Sequence, residues 1–194
     1  MRRLLNRAFG LLMKITSFPR LCCADGVAGD VVGDGQPRIY IENSTCSRDA
    51  VATLSALGKK RTCLLVSESE YCADRVLRTL SPKRTIVAAG GLNTEWVHTA
   101  LRRLRNGESI LFFPEKRADG ANVTELNPAF ILLSIMSGAE IVPLHNAPKR
   151  RLFRVQRITA GRPIRPDSNS LLTSAFLKKE SERARAEMAL LAGM

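Results

Sequence analysis

The strongest constraint on the fold of this chain is an alternation. Short apolar runs of strand length are each followed by a capped segment of helical period. Thr62–Ser67 (TCLLVS) and Ser109–Phe113 (SILFF) are nearly continuous apolar runs. Such runs suit strands covered on both sides, as in parallel sheets flanked by helices. Arg38–Glu42 (RIYIE) alternates polar and apolar residues and also reads as a strand. Arg84–Ala88 is a short strand, Ile141–Leu144 a strand broken by Pro143, and Phe153–Ala160 a further one. The segments between them read as helices. Arg48–Leu57 has Ser47 as N-cap and Gly58 as stop, and Glu70–Leu80 is ended by Ser81-Pro82. Glu95–Arg105 is opened by Thr94 and closed by Asn106-Gly107. Pro128–Ser137 has proline in its first turn and Gly138 at its end. A last helix covers about Ser170–Leu191, with Leu177, Ala184, Met188 and Leu191 on one stripe suited to docking. The alternation predicts the α/β class, with a largely parallel central sheet flanked by helices. Ligand sites in such sheets lie at the carboxyl ends of strands, so the loops after Glu42 and after Phe113 are the places to look.

The rest of the composition narrows the class. At 194 residues the chain suits one domain, and 45% apolar with 25% charged residues excludes a disordered or collagen-like chain. Its five cysteines are odd in number and have no CxxC spacing. That speaks against a disulfide framework or a zinc site and for reduced thiols in a cytoplasmic setting. No apolar stretch reaches the roughly 18 residues a membrane span needs. The pattern divides the chain into a basic amphipathic segment (1–20), a turn-rich linker (21–37), a main domain (38–165) and a C-terminal helix packing on it (166–194).

The net charge of +12 belongs to the flanks. Arg2, Arg3, Arg7, Lys14 and Arg20 face no acid within residues 1–20, residues 149–194 carry an excess of seven positive charges, and the middle is neutral. On a helical wheel Leu4, Leu5, Ala8, Phe9, Leu11, Leu12 and Ile15 fall within an arc of about 160°. Arg3, Arg7 and Lys14 fall opposite, and Pro19 ends the segment. Such a helix can lie in the headgroup layer of an anionic membrane. Packing on its own domain and cleavage as a targeting peptide are the alternatives. Nucleic acid is the usual rival partner of a basic protein, but aromatic residues are only 5% and no zinc-finger or aromatic–basic ribonucleoprotein motif is present.

Three short blocks carry the chemistry. The first is Asn43-Ser44-Thr45-Cys46-Ser47-Arg48-Asp49, the second Phe113-Pro114-Glu115-Lys116-Arg117, and the third Ile141-Val142-Pro143-Leu144. In this order and at these distances they resemble the lysophospholipid/glycerol-phosphate acyltransferase family. That family carries an Asn-His-x4-Asp block, a Phe-Pro-Glu-Gly block with a following Arg, and a Val-Pro-Val block. The run from Leu101 to Leu144 is the strongest part, and the likeness is closest to the acyltransferase domain of bacterial 2-acylglycerophosphoethanolamine acyltransferases. The resemblance covers about residues 35–160. It implies a glycerol-phosphate acyltransferase-like fold and transfer of an acyl chain to a lysophospholipid or glycerol-phosphate hydroxyl. It implies no cofactor, because acyl-CoA or acyl carrier protein is a donor substrate. The expected setting is the cytoplasm, peripheral at the inner membrane face.

In the family a histidine, oriented by the aspartate, takes the proton from the acceptor hydroxyl. Here Ser44 stands at the histidine position, while Asn43 and Asp49 match. A serine hydroxyl does not accept a proton near neutral pH, whereas imidazole titrates there. The resemblance therefore implies Ser44 and Asp49 as the catalytic positions. It implies Phe113, Pro114, Glu115, Lys116, Arg117 and Pro143 as substrate-binding positions. Arg117 has the planar donors that match phosphate oxygens, and Lys116 replaces the family's glycine. His145, and in principle Cys46 or Asp49 itself, are the groups available to replace the missing base. His98 reads as a helix-surface residue. The serine substitution leaves two readings open: an active enzyme, or a catalytically degenerate member that binds lipid, acyl carrier or a partner enzyme.

Overall fold

The computed structural model describes residues 19–24, 35–43, 47–57, 62–79, 84–89, 94–114, 126–147, 156–167 and 171–193. The strands are β1 (Pro19–Cys23), β2 (Arg38–Glu42), β3 (Thr62–Ser67), β4 (Thr85–Ala88), β5 (Ser109–Phe112), β6 (Glu140–Asn146) and β7 (Gln156–Ala160). The helices are α1 (Ser47–Ala56), α2 (Glu68–Ala73), α3 (Glu95–Arg105), α4 (Ala129–Ser137) and α5 (Ser174–Ala192). The strands form one sheet in the order β1-β7-β6-β2-β5-β3-β4. From β6 to β4 all neighbours are parallel. β7 runs antiparallel to β6, and β1 pairs parallel with β7. The expected α/β class with a largely parallel sheet is the class observed.

Both sheet faces are covered, which is why the central strands read as apolar runs. One face carries Ile39, Ile41, Leu65, Ile110, Phe112 and Ile141 under α3, α4 and α5. The other carries Tyr40, Leu64, Val66, Leu111, Val142 and Leu144 under α1 and the turn at Leu77. Side chains alternate between faces along each strand, and the two clusters follow that alternation. On α5, Ala184, Met188 and Leu191 are buried and Leu177 packs beside them, so the predicted stripe is the docking face.

Three expectations change. Pro19–Cys23, expected as the end of a helix and the start of a linker, is an edge strand. Its partner β7 lies far along the chain, so no local pattern marks it, and a proline is tolerated at the start of an edge strand. The expected helix Glu70–Leu80 is cut short. Asp74 Oδ1 accepts from the N–H groups of Val76 at 2.6 Å and Leu77 at 3.2 Å. This side-chain turn diverts the backbone into a short 3₁₀ turn at Leu77–Thr79. Finally, β6 is not broken at Pro143, which stays in register opposite Ile41 of β2. The Pro143 carbonyl accepts from Gly161 N–H at 2.9 Å on the β7 side. The nitrogen of a strand residue points the same way as its carbonyl. The missing N–H therefore faces the stretch beyond Ala160, where the β6–β7 pairing has ended.

Candidate functional site

β2 and β5 are neighbours in the sheet, with Ile41 opposite Phe112 as the last paired position. One residue further on each strand are Glu42 and Phe113, and then the two loops that carry the first and second sequence blocks. The loop after β2 enters α1, which covers one face of the sheet. The chain after β5 reaches α4, which covers the other. Adjacent parallel strands whose connections leave to opposite faces open a crevice beyond their carboxyl ends, the usual ligand position in α/β sheets. The described ends of the two blocks, Asn43 and Phe113-Pro114, thus leave neighbouring strands at the same edge of the sheet.

Of the residues expected there, Asp49, Phe113, Pro114 and Pro143 are described. Ser44, Glu115, Lys116 and Arg117, together with Cys46, lie outside the described residues, as does the basic segment 1–18. Asp49 lies in the first turn of α1 and is half-buried. A carboxylate there is favoured by the N-terminal end of the helix dipole. Phe113 packs on the α1 face of the sheet, and Pro114 is buried. The Pro114 carbonyl accepts from Asn127 N–H at 2.7 Å. The described residues on either side of 115–125 are therefore held to each other. Pro143 lies within β6 next to β2, one strand from Phe112.

Asp49 is tied to the sheet by a chain of polar side chains that sequence reasoning missed. Gln156 Nε2 donates to Asp49 Oδ1 at 3.0 Å and to Asn146 Oδ1 at 2.9 Å. Asn146 Nδ2 donates to Glu42 Oε1 at 2.7 Å. Glu42 is fully buried. Burial pushes its carboxyl up to about 8, against weaker opposition from the Asn146 amide and the nearby Thr53 hydroxyl, and the Asp49 charge adds to the rise. Glu42 Oε2 and Thr53 Oγ1 are both buried and neither meets a partner in hydrogen-bond geometry. A signal for Glu42 was present in RIYIE. Its period of two puts Glu42 on the face of Tyr40, and that face had to be covered.

The two histidines of the chain are both placed. His98 is exposed on α3. His145 lies in β6 directly before Asn146, so strand alternation turns it to the face opposite Asn146 and Asp49. It is half-buried, burial lowers its pKa from the usual histidine value, and its Nδ1 is enclosed without a hydrogen-bond partner. His145 therefore stands at the carboxyl end of β6, as expected, but its side chain turns to the sheet face opposite Asp49.

A cleft of about 520 Å³ opens beside the mouth at the carboxyl ends of β3, β4 and β5. Leu65, Ala88, Trp96, Phe112, Phe113, Pro114 and Ala129 give it apolar walls. Ser67, Ser69, Glu70 and Asn127 line its polar part. Ser67 and Glu70 are already engaged with each other as the capping box of α2, so the polar rim is held in place. The cleft shares Phe113 and Pro114 with the mouth, while Asp49 is not among the residues that line it.

No family model matches the sequence, and no curated protein matches it. Among solved structures, the fold is similar to that of the 1-acyl-sn-glycerophosphate (LPA) acyltransferase PlsC from Thermotoga maritima. The match has a TM-score of 0.54 and 16% sequence identity, and covers 97% of this chain and 81% of that chain. At that identity the likeness establishes a PlsC-like acyltransferase fold.

Proposed function

We propose that this protein transfers an acyl chain from a thioester donor, acyl-CoA or acyl carrier protein, to the hydroxyl of a lysophospholipid or glycerol phosphate. The observation that carries this reading is that the chain leaves β2 toward the Asp49 helix start and leaves β5 through Phe113-Pro114 at the same end of two neighbouring parallel strands, beside an apolar cleft that Phe113 and Pro114 line. In the reaction the acceptor oxygen bonds to the thioester carbonyl carbon, the carbon–sulfur bond breaks, and the acceptor's proton leaves with the sulfur as a thiol. Asp49 takes up that proton and returns it to the departing sulfur. As a carboxylate it is a weaker base than an imidazole, and losing a well-matched general base lowers rates by about 10²–10⁴. The cleft holds the acyl chain, while Lys116 and Arg117 supply the cations for the acceptor phosphate. The basic segment 1–18 brings the site to an anionic membrane surface on the cytoplasmic side. Among the described residues no helix is long and apolar enough to cross a membrane.

One observation favours a second reading. Both histidines belong to elements or positions away from Asp49, which fits a degenerate member that binds lipid or acyl carrier without turnover. Acyl transfer from acyl-CoA to lysophosphatidate and to lysophosphatidylethanolamine, measured with purified protein against a heat-killed control, separates the two. Turnover that falls at least tenfold in Asp49→Ala and rises in Ser44→His supports the enzyme. Saturable lysophospholipid binding without turnover supports the binder. Neither turnover nor binding overturns both.

A further inference from the structure

We infer that Gln156, Asn146 and Glu42 are positioning residues that hold the Asp49 carboxylate in one orientation at the mouth of the crevice. This rests on the reading above, in which Asp49 takes part in the reaction.

The chain joins parts of the fold that share no local sequence. Gln156 opens β7, Asn146 ends β6, Glu42 ends β2, and Asp49 starts α1. Gln156, Asn146 and Glu42 are buried, while Asp49 remains partly open. The order of donors and acceptors permits one arrangement. Gln156 uses both N–H bonds of its amide, one toward Asp49 and one toward Asn146. With Asn146 Oδ1 thus occupied as acceptor, its Nδ2 faces Glu42. Turning the Asn146 amide over would set two NH₂ groups against each other, and turning Gln156 over would set its oxygen against a carboxylate. The Asn146 backbone N–H is bound as well, to Asn43 Oδ1 at 2.9 Å. The backbone that carries Asn146 is thereby held against Asn43 at the end of β2.

Glu42 is the inner end of this chain. A protonated carboxyl presents Oε1 to Asn146 as a plain carbonyl oxygen and places no second negative charge near Asp49. Ionisation of Glu42 would add one. Among the described residues, Asp49 is the titratable group acting on Glu42. Asn146 on β6, Gln156 on β7, Phe113 beyond β5 and Thr53 on α1 are uncharged, and His145 faces the other side of the sheet. The rise of the Glu42 carboxyl to about 8 keeps it protonated at neutral pH.

The test uses the full chain and has two arms. In the kinetic arm, Gln156→Leu lowers kcat by up to about 10²-fold with less than a twofold change in the acceptor KM. Adding Gln156→Leu to Asp49→Asn lowers it little further, because Gln156 acts through that carboxylate. Glu42→Gln removes any inflection of the pH–rate profile near pH 8. In the second arm, carboxyl ¹³C NMR follows Asp49 during titration of Glu42. The Asp49 resonance moves in step with Glu42 in the wild type and ceases to do so in Gln156→Leu. Multiplying kinetic effects, or an Asp49 resonance indifferent to Glu42 in the wild type, would overturn the inference. If the wild type shows no turnover, the acyltransferase reading fails while the NMR arm still judges the positioning chain. If Gln156→Leu does not fold, Gln156→Glu, which replaces the donor to Asp49 with an acceptor at nearly the same volume, takes its place in both arms.

Discussion

The backbone N–H of Asn146 donates to Asn43 Oδ1 at 2.9 Å, joining the last residue of β6 to the first residue beyond β2. The two are 103 positions apart in the chain. The bond pins the root of the loop that carries Ser44 to a neighbouring strand. Asn43→Ala leaves that N–H without its partner in a partly enclosed place, at a cost of about 1–2 kcal/mol. Asn43→Asp keeps an acceptor and costs less. Urea unfolding of the two variants at pH 7 measures the difference, and equal stabilities would show that the bond contributes nothing.

The buried Glu42 makes stability depend on pH in an unusual direction. In the unfolded chain its carboxyl titrates near 4.5, and in the folded protein near 8. Between these values the folded state binds the extra proton. The contribution is complete below about pH 4.5 and is lost as the pH rises toward 8. Its slope is at most about 1.4 kcal/mol per pH unit. Glu42→Gln removes this slope. The variant therefore gains on the wild type as the pH is raised from 5 to 8 in denaturant titrations. A constant difference across that range would mean that Glu42 is ionised in the folded protein.

Gly161 lies where α5 meets the sheet. A Cβ built there would stand 2.9 Å from Leu191 Cδ1, and Leu191 is itself buried. Gly161→Ala forces that side chain aside and lowers stability by about 1–3 kcal/mol. In a Leu191→Ala background the same change is nearly neutral, because the obstacle is gone. Thermal unfolding of the double-mutant cycle reads the coupling. Additive losses would place the strain elsewhere.

The cysteines differ in reactivity. Cys63 is buried and its thiol donates to Glu108 Oε2 at 3.2 Å. Burial, assisted by that bond, raises its pKa to about 11. Cys72 is exposed on α2. Since the thiolate is the reactive form, iodoacetamide at pH 7.5 should label Cys72 within minutes and leave Cys63 unmodified until the protein is unfolded. Mass spectrometry of tryptic peptides reports both.

Much of the architecture was legible because burial on both faces leaves a mark in composition. TCLLVS and SILFF could only be covered strands, and Gly138, with φ of +74°, stops α4 where the sequence placed the stop. What escaped notice depended on partners distant in sequence. β1 exists because β7 offers it an edge. The break in the expected second helix depends on how one carboxylate, Asp74, turns back onto the two N–H groups after it. The site divides in the same way. Asp49, Phe113 and Pro114 were marked by their blocks, whereas Asn146 and Gln156 acquire meaning only when three strand ends and a helix start converge on Glu42. His145 shows the limit of reading by position. Its place at a strand end was visible, but its face followed from the register of a strand that continues through Pro143.

The hydrogen bond between Asn127 and the Pro114 carbonyl has a consequence for how such a protein diversifies. It works as a clasp: whatever path residues 115–125 take, they start and finish at one fixed post beside the sheet. Exchange of that stretch for another of different length or charge leaves the surrounding framework in place. The stretch can then change while the open sheet behind it keeps its strand order.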